Sequence, residues 1–138
     1  NLRGASLTMA VGSGVSFRGA DLSFASFESA KISASVFDGA IMESTDLASA
    51  QMYLSSFRGA KMQNANLAGS ACERCDFSRS QLQHADLRQA KLQGASFVKA
   101  LADEASFENA LLSGAEFRGA STAGATFDSS QRGISGLG

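Results

Sequence analysis

The chain of 138 residues carries 12 lysines and arginines against 13 aspartates and glutamates, which gives a net charge of −1 at pH 7. A nucleic-acid-binding protein needs a basic surface and a polyanion mimic needs an acidic one, so this near balance argues against both. No stretch of 18 apolar residues occurs, so the sequence predicts no membrane span. Apolar residues nevertheless make up 44% of the chain, enough for a folded core in one domain.

A five-residue period runs from Leu7 to Phe127 without an insertion. The residues at this spacing, which we call centres, are Leu, Ile, Met or Phe in every unit except at Gly12, Cys72, Ala102 and Thr122. The residue two places before each centre is in most units Ala. Residues two apart in an extended segment point the same way, so the small and the bulky residue enter one interior together. The rest of each unit is mostly polar, which predicts a minimal strand followed by a corner that faces water.

The phenylalanines add a 20-residue period, because nine of the ten occupy centres and six of these recur at every 20th residue. This series is the predicted structural core and comprises Phe17, Phe37, Phe57, Phe77, Phe97 and Phe117. Equal residues at this spacing are explained if four units close one coil and the coils stack, which places Phe on Phe. The chain has no Pro, as expected if every coil forms backbone hydrogen bonds with the next.

With this pattern the chain resembles the pentapeptide-repeat family, whose units read roughly Ala-(Asp/Asn)-Leu-X-X. The pattern is nearly literal in Ala20-Asp21-Leu22, Ala65-Asn66-Leu67 and Ala85-Asp86-Leu87, with variants in Thr45-Asp46-Leu47 and Cys75-Asp76-Phe77. The resemblance implies an all-β fold, a right-handed quadrilateral parallel β-helix (solenoid) of about six to seven coils with four pentapeptides each. We expect this β-helix to occupy residues 1–130 and residues 131–138 to form a frayed C-terminal tail.

Neither end of the predicted rod has an evident cap, although the terminal coils of a solenoid normally need one. Arg132 falls on a centre position, where a bulky apolar residue is expected. End-to-end self-association or flanking domains of the same chain would each cover the ends. We favour flanking domains and expect the chain to be one module of a larger protein.

Cys72 and Cys75 form a Cys-x-x-Cys motif in which both residues fall on inward positions of the repeat. This placement predicts two free cysteines that replace core residues, with a redox or metal-binding role as the alternative. A structural zinc site needs four ligands, and the sequence has no second motif of this kind.

The sequence predicts no enzyme, no cofactor and no metal site. His84 is the only histidine, and it lies at an outward corner near Asp86. A nucleophile and its base need a pocket, which a filled rod does not offer. Asp103, Glu104 and Glu108 could meet a hard cation, but a solvated acidic corner is the favoured interpretation.

The outward positions differ in charge and polarity around the rod. Sorting them by their place in the 20-residue coil gives two adjacent faces with net charge −6 and two with net charge +5, which fits either a solvated surface or an electrostatically steered partner site. Scattered outward apolar residues are normal, but one group lies within about two coils. This predicted partner-binding group consists of Phe24, Val36, Ile41, Tyr53 and Leu54, and a second, smaller group of Val98, Leu101 and Leu111.

We expect a non-catalytic structural or protein-interaction module with a protein partner of unknown identity. The resemblance implies a larger bacterial protein, such as a secreted effector or a secretion-associated protein, in the cytoplasm or exported by a leaderless route. The alternative that it implies is a DNA-mimicking modulator of DNA gyrase of the quinolone-resistance type. That function calls for a strongly acidic rod, a dimer formed through a C-terminal helix, and loops that interrupt the coils. The near-neutral charge and unbroken period favour the interaction module.

Overall fold

The structure, a computed structural model, describes residues 1–131 and 134–137. Its strands are one paired residue long, and the parallel pairs join residues 20 apart, from Ser6 with Ser26 to Ser106 with Thr126. The predicted fold, a right-handed quadrilateral β-helix with four units in each coil, is confirmed. In the part of the chain that the structure describes, the helical element is a 3-10 turn at Ser129–Gln131, and no helix there could cross a membrane.

A β-turn follows nearly every centre and makes the corner of the rod. In most units the N–H of the small residue donates to the carbonyl of the preceding centre, as from Ala5 N to Leu2 O at 2.9 Å. The residue before the small one has a positive φ in every unit from Gly4 to Gly124. Positive φ at the third position of a turn is the mark of a type II turn and favours glycine. Glycine nevertheless holds this position in fewer than half of the units, and residues with side chains hold it in the others.

The interior consists of stacked side chains, with the predicted phenylalanine series at its centre. Successive rings from Phe17 to Phe117 lie 4.6 to 5.0 Å apart between centroids, with interplanar angles of 4 to 13°. All but Phe17, at the first coil, are fully buried. Phe27 and Phe107 pack edge-on against this stack. Alanines fill most of the small inward positions, because the narrow interior would be overpacked by a large side chain there.

The cysteines differ from the prediction of free thiols, because the Sγ atoms of Cys72 and Cys75 form a disulfide. Both residues are buried at the inward positions that the repeat assigns to them. A centre and the next small residue point into the same interior across one turn, and these two Cα atoms lie 5.3 Å apart. That separation is within the range that a disulfide needs.

The prediction of a frayed tail is wrong for Gln131. Its side chain is buried, and its Nε2 donates to Phe107 O and Ala110 O, each at 2.7 Å. Its Oε1 accepts the N–H of Asp128 at 2.8 Å. The amide therefore covers the end of the interior, and it bonds the carbonyl of Ala110, which in the regular repeat would accept a backbone N–H of the next coil.

Residues 134–137 also attach to the rod. Ser135 pairs in parallel with Glu116, one residue short of the regular spacing between coils, and Phe117 N donates to Ser135 O at 2.8 Å. Ile134 and Leu137 pack against the core. The described part of the predicted tail thus covers the last coil. The predicted centre position at Arg132 lies outside the described residues.

Candidate protein-interaction surface

We name the four sides of the rod by their columns of paired residues. Face A carries the column from Asp21 to Ser121, face B from Ser6 to Thr126, face C from Val11 to Leu111, and face D from Ser16 to Glu116. Each column contains every 20th residue of the chain. Adjacent faces meet at the turns.

The predicted partner-binding group does not form one patch. Ile41 lies in the column of face A and Val36 in that of face D. Phe24 lies at the turn between faces A and B, whereas Tyr53 and Leu54 lie at the turn between faces C and D. These two corners are diagonally opposite in a four-sided coil. The group is close along the rod axis but dispersed around it, and only its position within the 20-residue coil could have indicated this.

Phe24 and Ile41 have local neighbours that account for them. The guanidinium carbon of Arg3 lies 4.8 Å from the centroid of the Phe24 ring, which is a cation–π contact within the chain. Ile41 lines a shallow depression with polar side chains that include Glu43 and Lys61. Neither residue belongs to an apolar surface. Of the second predicted group, Leu101 lies on face A and Leu111 on face C.

Face C combines apolar and basic side chains along one continuous column. From the first coil to the sixth, this column comprises Val11, Lys31, Gln51, Ala71, Lys91 and Leu111. Val11 and Leu111, at its two ends, are 81% and 49% exposed. The column contains no carboxylate. At the corner towards face D it is bordered by Tyr53, Leu54, Glu73 and Arg74, so the described part of face C has three basic residues and one acidic residue.

A shallow depression of about 420 Å³ lies on face C between Val11 and Tyr53. Lys31, Ser33 and Gln51 also line it. Val11 and Tyr53 lie at its two ends, and Lys31 lies between them. Such a depression suits an acidic or polar group that is flanked by apolar ones.

Leu54 carries two local costs. Its φ is 61°, in the left-handed region that branched and bulky residues avoid, and its side chain is 60% exposed. At the same corner of other coils the equivalent position is held by Gly14, Gly94 and Gly114, so the fold does not require a leucine there. The same φ recurs at this position in every unit, including Met9 and Phe24, so the strain belongs to the repeat, and the exposed apolar side chain is what makes Leu54 a candidate for recognition.

The aspartates and asparagines of the repeat pattern have a structural role. Oδ1 of Asp46, Asn66 and Asp76 each accepts the backbone N–H two residues further on, at 2.9 to 3.0 Å. The backbone N–H of Ser23 makes the same contact with Asp21 and, as the largest cause, lowers the pKa of its carboxyl group. These side chains stabilise the turn in the manner of Asx turns, so the repeat pattern itself does not identify a binding site.

Face B carries a two-point ion pair. Nε of Arg88 donates to Oδ1 of Asp86 at 2.9 Å, and Nη2 donates to Oδ2 at 2.7 Å. The hydrogen bonds from the Arg88 side chain lower the pKa of Asp86, and the same carboxylate raises the pKa of Arg88. The pair fixes two charges against each other and leaves face B hydrophilic.

His84 lies at the turn between faces A and B, next to Glu104 of the following coil. Its Nδ1 lies 3.3 Å from Oε2 of Glu104, and both side chains are more than half exposed. Across residues 1–131 and 134–137, no cluster of three or more His, Cys, Asp or Glu side chains is arranged to hold a metal ion.

Comparison with known families identifies the repeat. A family model described as a pentapeptide repeat region matches residues 13–87, and another, described as pentapeptide repeats (8 copies), matches residues 90–128. The chain belongs to the pentapeptide-repeat family. Among curated proteins, no sequence matches this pentapeptide-repeat protein significantly.

Solved structures share the fold of this pentapeptide-repeat protein. HetL, a pentapeptide repeat protein involved in heterocyst differentiation regulation in the cyanobacterium Nostoc, is 19% identical with a TM-score of 0.65, over 91% of this chain and 86% of its own. A pentapeptide repeat protein of the Arabidopsis thaliana thylakoid lumen is 23% identical with a TM-score of 0.54, over 83% and 73%. QnrB1, a plasmid-mediated fluoroquinolone resistance protein, is 17% identical over 99% and 92%, but its TM-score of 0.34 supports no conclusion. These likenesses establish the fold alone.

Proposed function

We propose that this rod is a non-catalytic protein-interaction module that binds its partner through face C and the adjoining corner. Among the residues that the structure describes, this surface holds four of the nine exposed large apolar side chains. These are Val11, Tyr53, Leu54 and Leu111. Tyrosine and arginine are enriched among the anchor residues of protein interfaces, and Tyr53 and Arg74 lie at this corner.

The charge distribution disfavours imitation of DNA, the alternative function. Arg18 and Arg58 on face D lie 3.7 Å from Asp38 and Asp76, so these carboxylates are partly neutralised. Arg118 recurs at the same place in a later coil. A surface that binds DNA would meet like charge on faces C and D, which costs several kcal/mol at an interface. We expect micromolar amounts of the chain to leave gyrase supercoiling unchanged, and inhibition that disappears on neutralising Asp46 and Asp86 would support the alternative.

Site-specific photo-crosslinking in the source cells tests the proposal. Gln51 in the column of face C and Gln81 in that of face A are the same residue type at equivalent positions of the repeat. Each is replaced in turn by a photoreactive phenylalanine analogue. We expect a protein adduct from position 51 and none from position 81.

The adduct from position 51 should disappear when Tyr53→Ser and Leu54→Ser are combined, with the circular dichroism of the rod unchanged. Adducts that form at position 81 alone, or that persist in the double variant, would contradict the proposed surface. The absence of any adduct at both positions would contradict the interaction function itself.

The larger protein to which the module would belong, and its cellular location, stay predictions. We propose that it is part of a larger bacterial protein of the secreted or secretion-associated kind, on the basis of the family resemblance. The complete reading frame tests the larger protein, and fractionation of cytoplasm and culture medium tests the predicted cytoplasmic or leaderless exported location.

A further inference from the structure

On the basis of the interaction function proposed above, we propose that face C binds an acidic amphipathic α-helix of the partner protein. The inference rests on three features of this face: its backbone hydrogen bonds, its length and relief, and its charge.

From Lys31 to Leu111, the column of face C has no free backbone group for an extended peptide to pair with. Lys31 N donates to Ala10 O at 2.8 Å, and Lys31 O accepts the N–H of Gly12 at 2.9 Å. The same two bonds recur at Gln51, Ala71, Lys91 and Leu111. An extended segment laid on this face would lose the hydration of its own backbone without replacement, which is costly. A helix satisfies its backbone internally and can bind through side chains alone.

The length and the surface shape of face C suit a helix that runs along the rod. Five coil spacings of about 4.8 Å separate Val11 from Leu111, roughly 24 Å in all. A helix rises 1.5 Å per residue, so about 16 residues span this length. Ala71 lies in the middle of the column, with Gly69 at the neighbouring turn, and these small residues allow close approach. Val11 and Leu111 provide apolar contacts at the two ends, and Tyr53 and Leu54 provide one side wall.

The column of face C and its corner towards face D favour an acidic helix, whereas the corner towards face B carries Glu28 and Glu108 beside Arg88. Lys31 and Lys91 are exposed and lie three coils apart, about 14 Å, which corresponds to about ten residues of a helix. Arg74 adds a third cation at the corner. Binding to an anionic membrane generally takes a cluster of four to eight basic residues. Face C has three, which favours the helix.

The test is a selection from a display library of random 16-residue peptides against the whole chain. We expect enriched peptides with net negative charge, with apolar residues at helical spacing, and with a gain of helical circular dichroism on binding. Lys31→Glu and Lys91→Glu should each weaken their binding at least ten-fold. Lys61→Glu, the matched change in the column of face A, should alter it less than two-fold.

The outcomes separate this inference from the proposed function. Peptides that need Leu54 but bind without helical structure, or without acidic residues, would overturn the helix and leave face C as the interaction surface. Peptides that bind elsewhere, or no enriched peptide at all, would contradict both. Co-sedimentation with phosphatidylserine vesicles that is lost on Lys31→Glu would overturn the inference in favour of a lipid surface.

Discussion

Two columns of this molecule cross the same six coils and have opposite chemistry. The interior column from Phe17 to Phe117 repeats one residue six times, and its rings lie no more than 5.0 Å apart. The column of face C, from Val11 to Leu111, holds six residues of five types at the same spacing. A side chain in the interior column has to pack against the residues above and below it. A side chain in the outer column only has to be compatible with solvent. Uniformity along a column therefore indicates packing, and costly departures on the outside indicate a task other than folding.

The largest expected effect is the loss of one ring from the interior column. Phe57 is fully buried and stacks on Phe37 at 4.7 Å and on Phe77 at 4.9 Å. Phe57→Ala should destabilise the rod by about 3–5 kcal/mol, since it removes a large side chain and leaves a cavity. Thermal and urea unfolding measure the loss. The exposed control Lys61→Ala should stay within about 0.5 kcal/mol, and similar losses for both would contradict the separation of interior from surface.

A smaller effect tests the same boundary with an added side chain. Ala60 is completely buried, whereas Gln63 is on the outer surface and is partly exposed. Ala60→Leu should cost about 1–3 kcal/mol through overpacking, and Gln63→Leu should cost little. Chemical denaturation of the two variants compares them directly. Equal stability would mean that the small residues of the repeat do not define the interior.

The fold and the interior could be predicted from the sequence because each inward position is constrained in the same way in every coil. The disulfide could not, since the five-residue period says that Cys72 and Cys75 point inward but not that one turn brings them together. The burial of Gln131 could not be predicted either, because it depends on hydrogen bonds to two particular carbonyls, which the five-residue period does not indicate. Of the predicted partner-binding group, Tyr53 and Leu54 share a corner, whereas Phe24 lies on the opposite one. Their separation depends on position around the rod as well as along it.

The ion pair between Asp86 and Arg88 on the outer surface should make the stability of the fold modestly dependent on pH. The hydrogen bonds from Arg88 lower the pKa of Asp86 in the folded state. The pair therefore stabilises the fold above the unfolded pKa of Asp, about 3.9, and this contribution is lost as the pH falls through the lower folded pKa. Because solvent screens the pair, the contribution should be smaller than either of the two interior effects above.

Urea unfolding between pH 6 and pH 2 measures the acid-dependent loss. Arg88→Gln should reduce that loss, and Asp86→Asn should reduce it by a similar amount. An undiminished acid dependence in both variants would show that the ion pair does not couple to folding.

Leu54→Asn separates recognition by face C from its contribution to folding, because stability and binding can both be measured in this one variant. Asparagine tolerates positive φ better than leucine does, so the unfolding free energy should rise by about 0.5–1 kcal/mol. Binding of the selected acidic peptides, and the cross-link at position 51, should decrease at least ten-fold. A gain in stability with loss of binding would mean that Leu54 serves recognition at a cost to the fold. A loss of stability with unchanged binding would contradict the central claim that face C is the interaction surface.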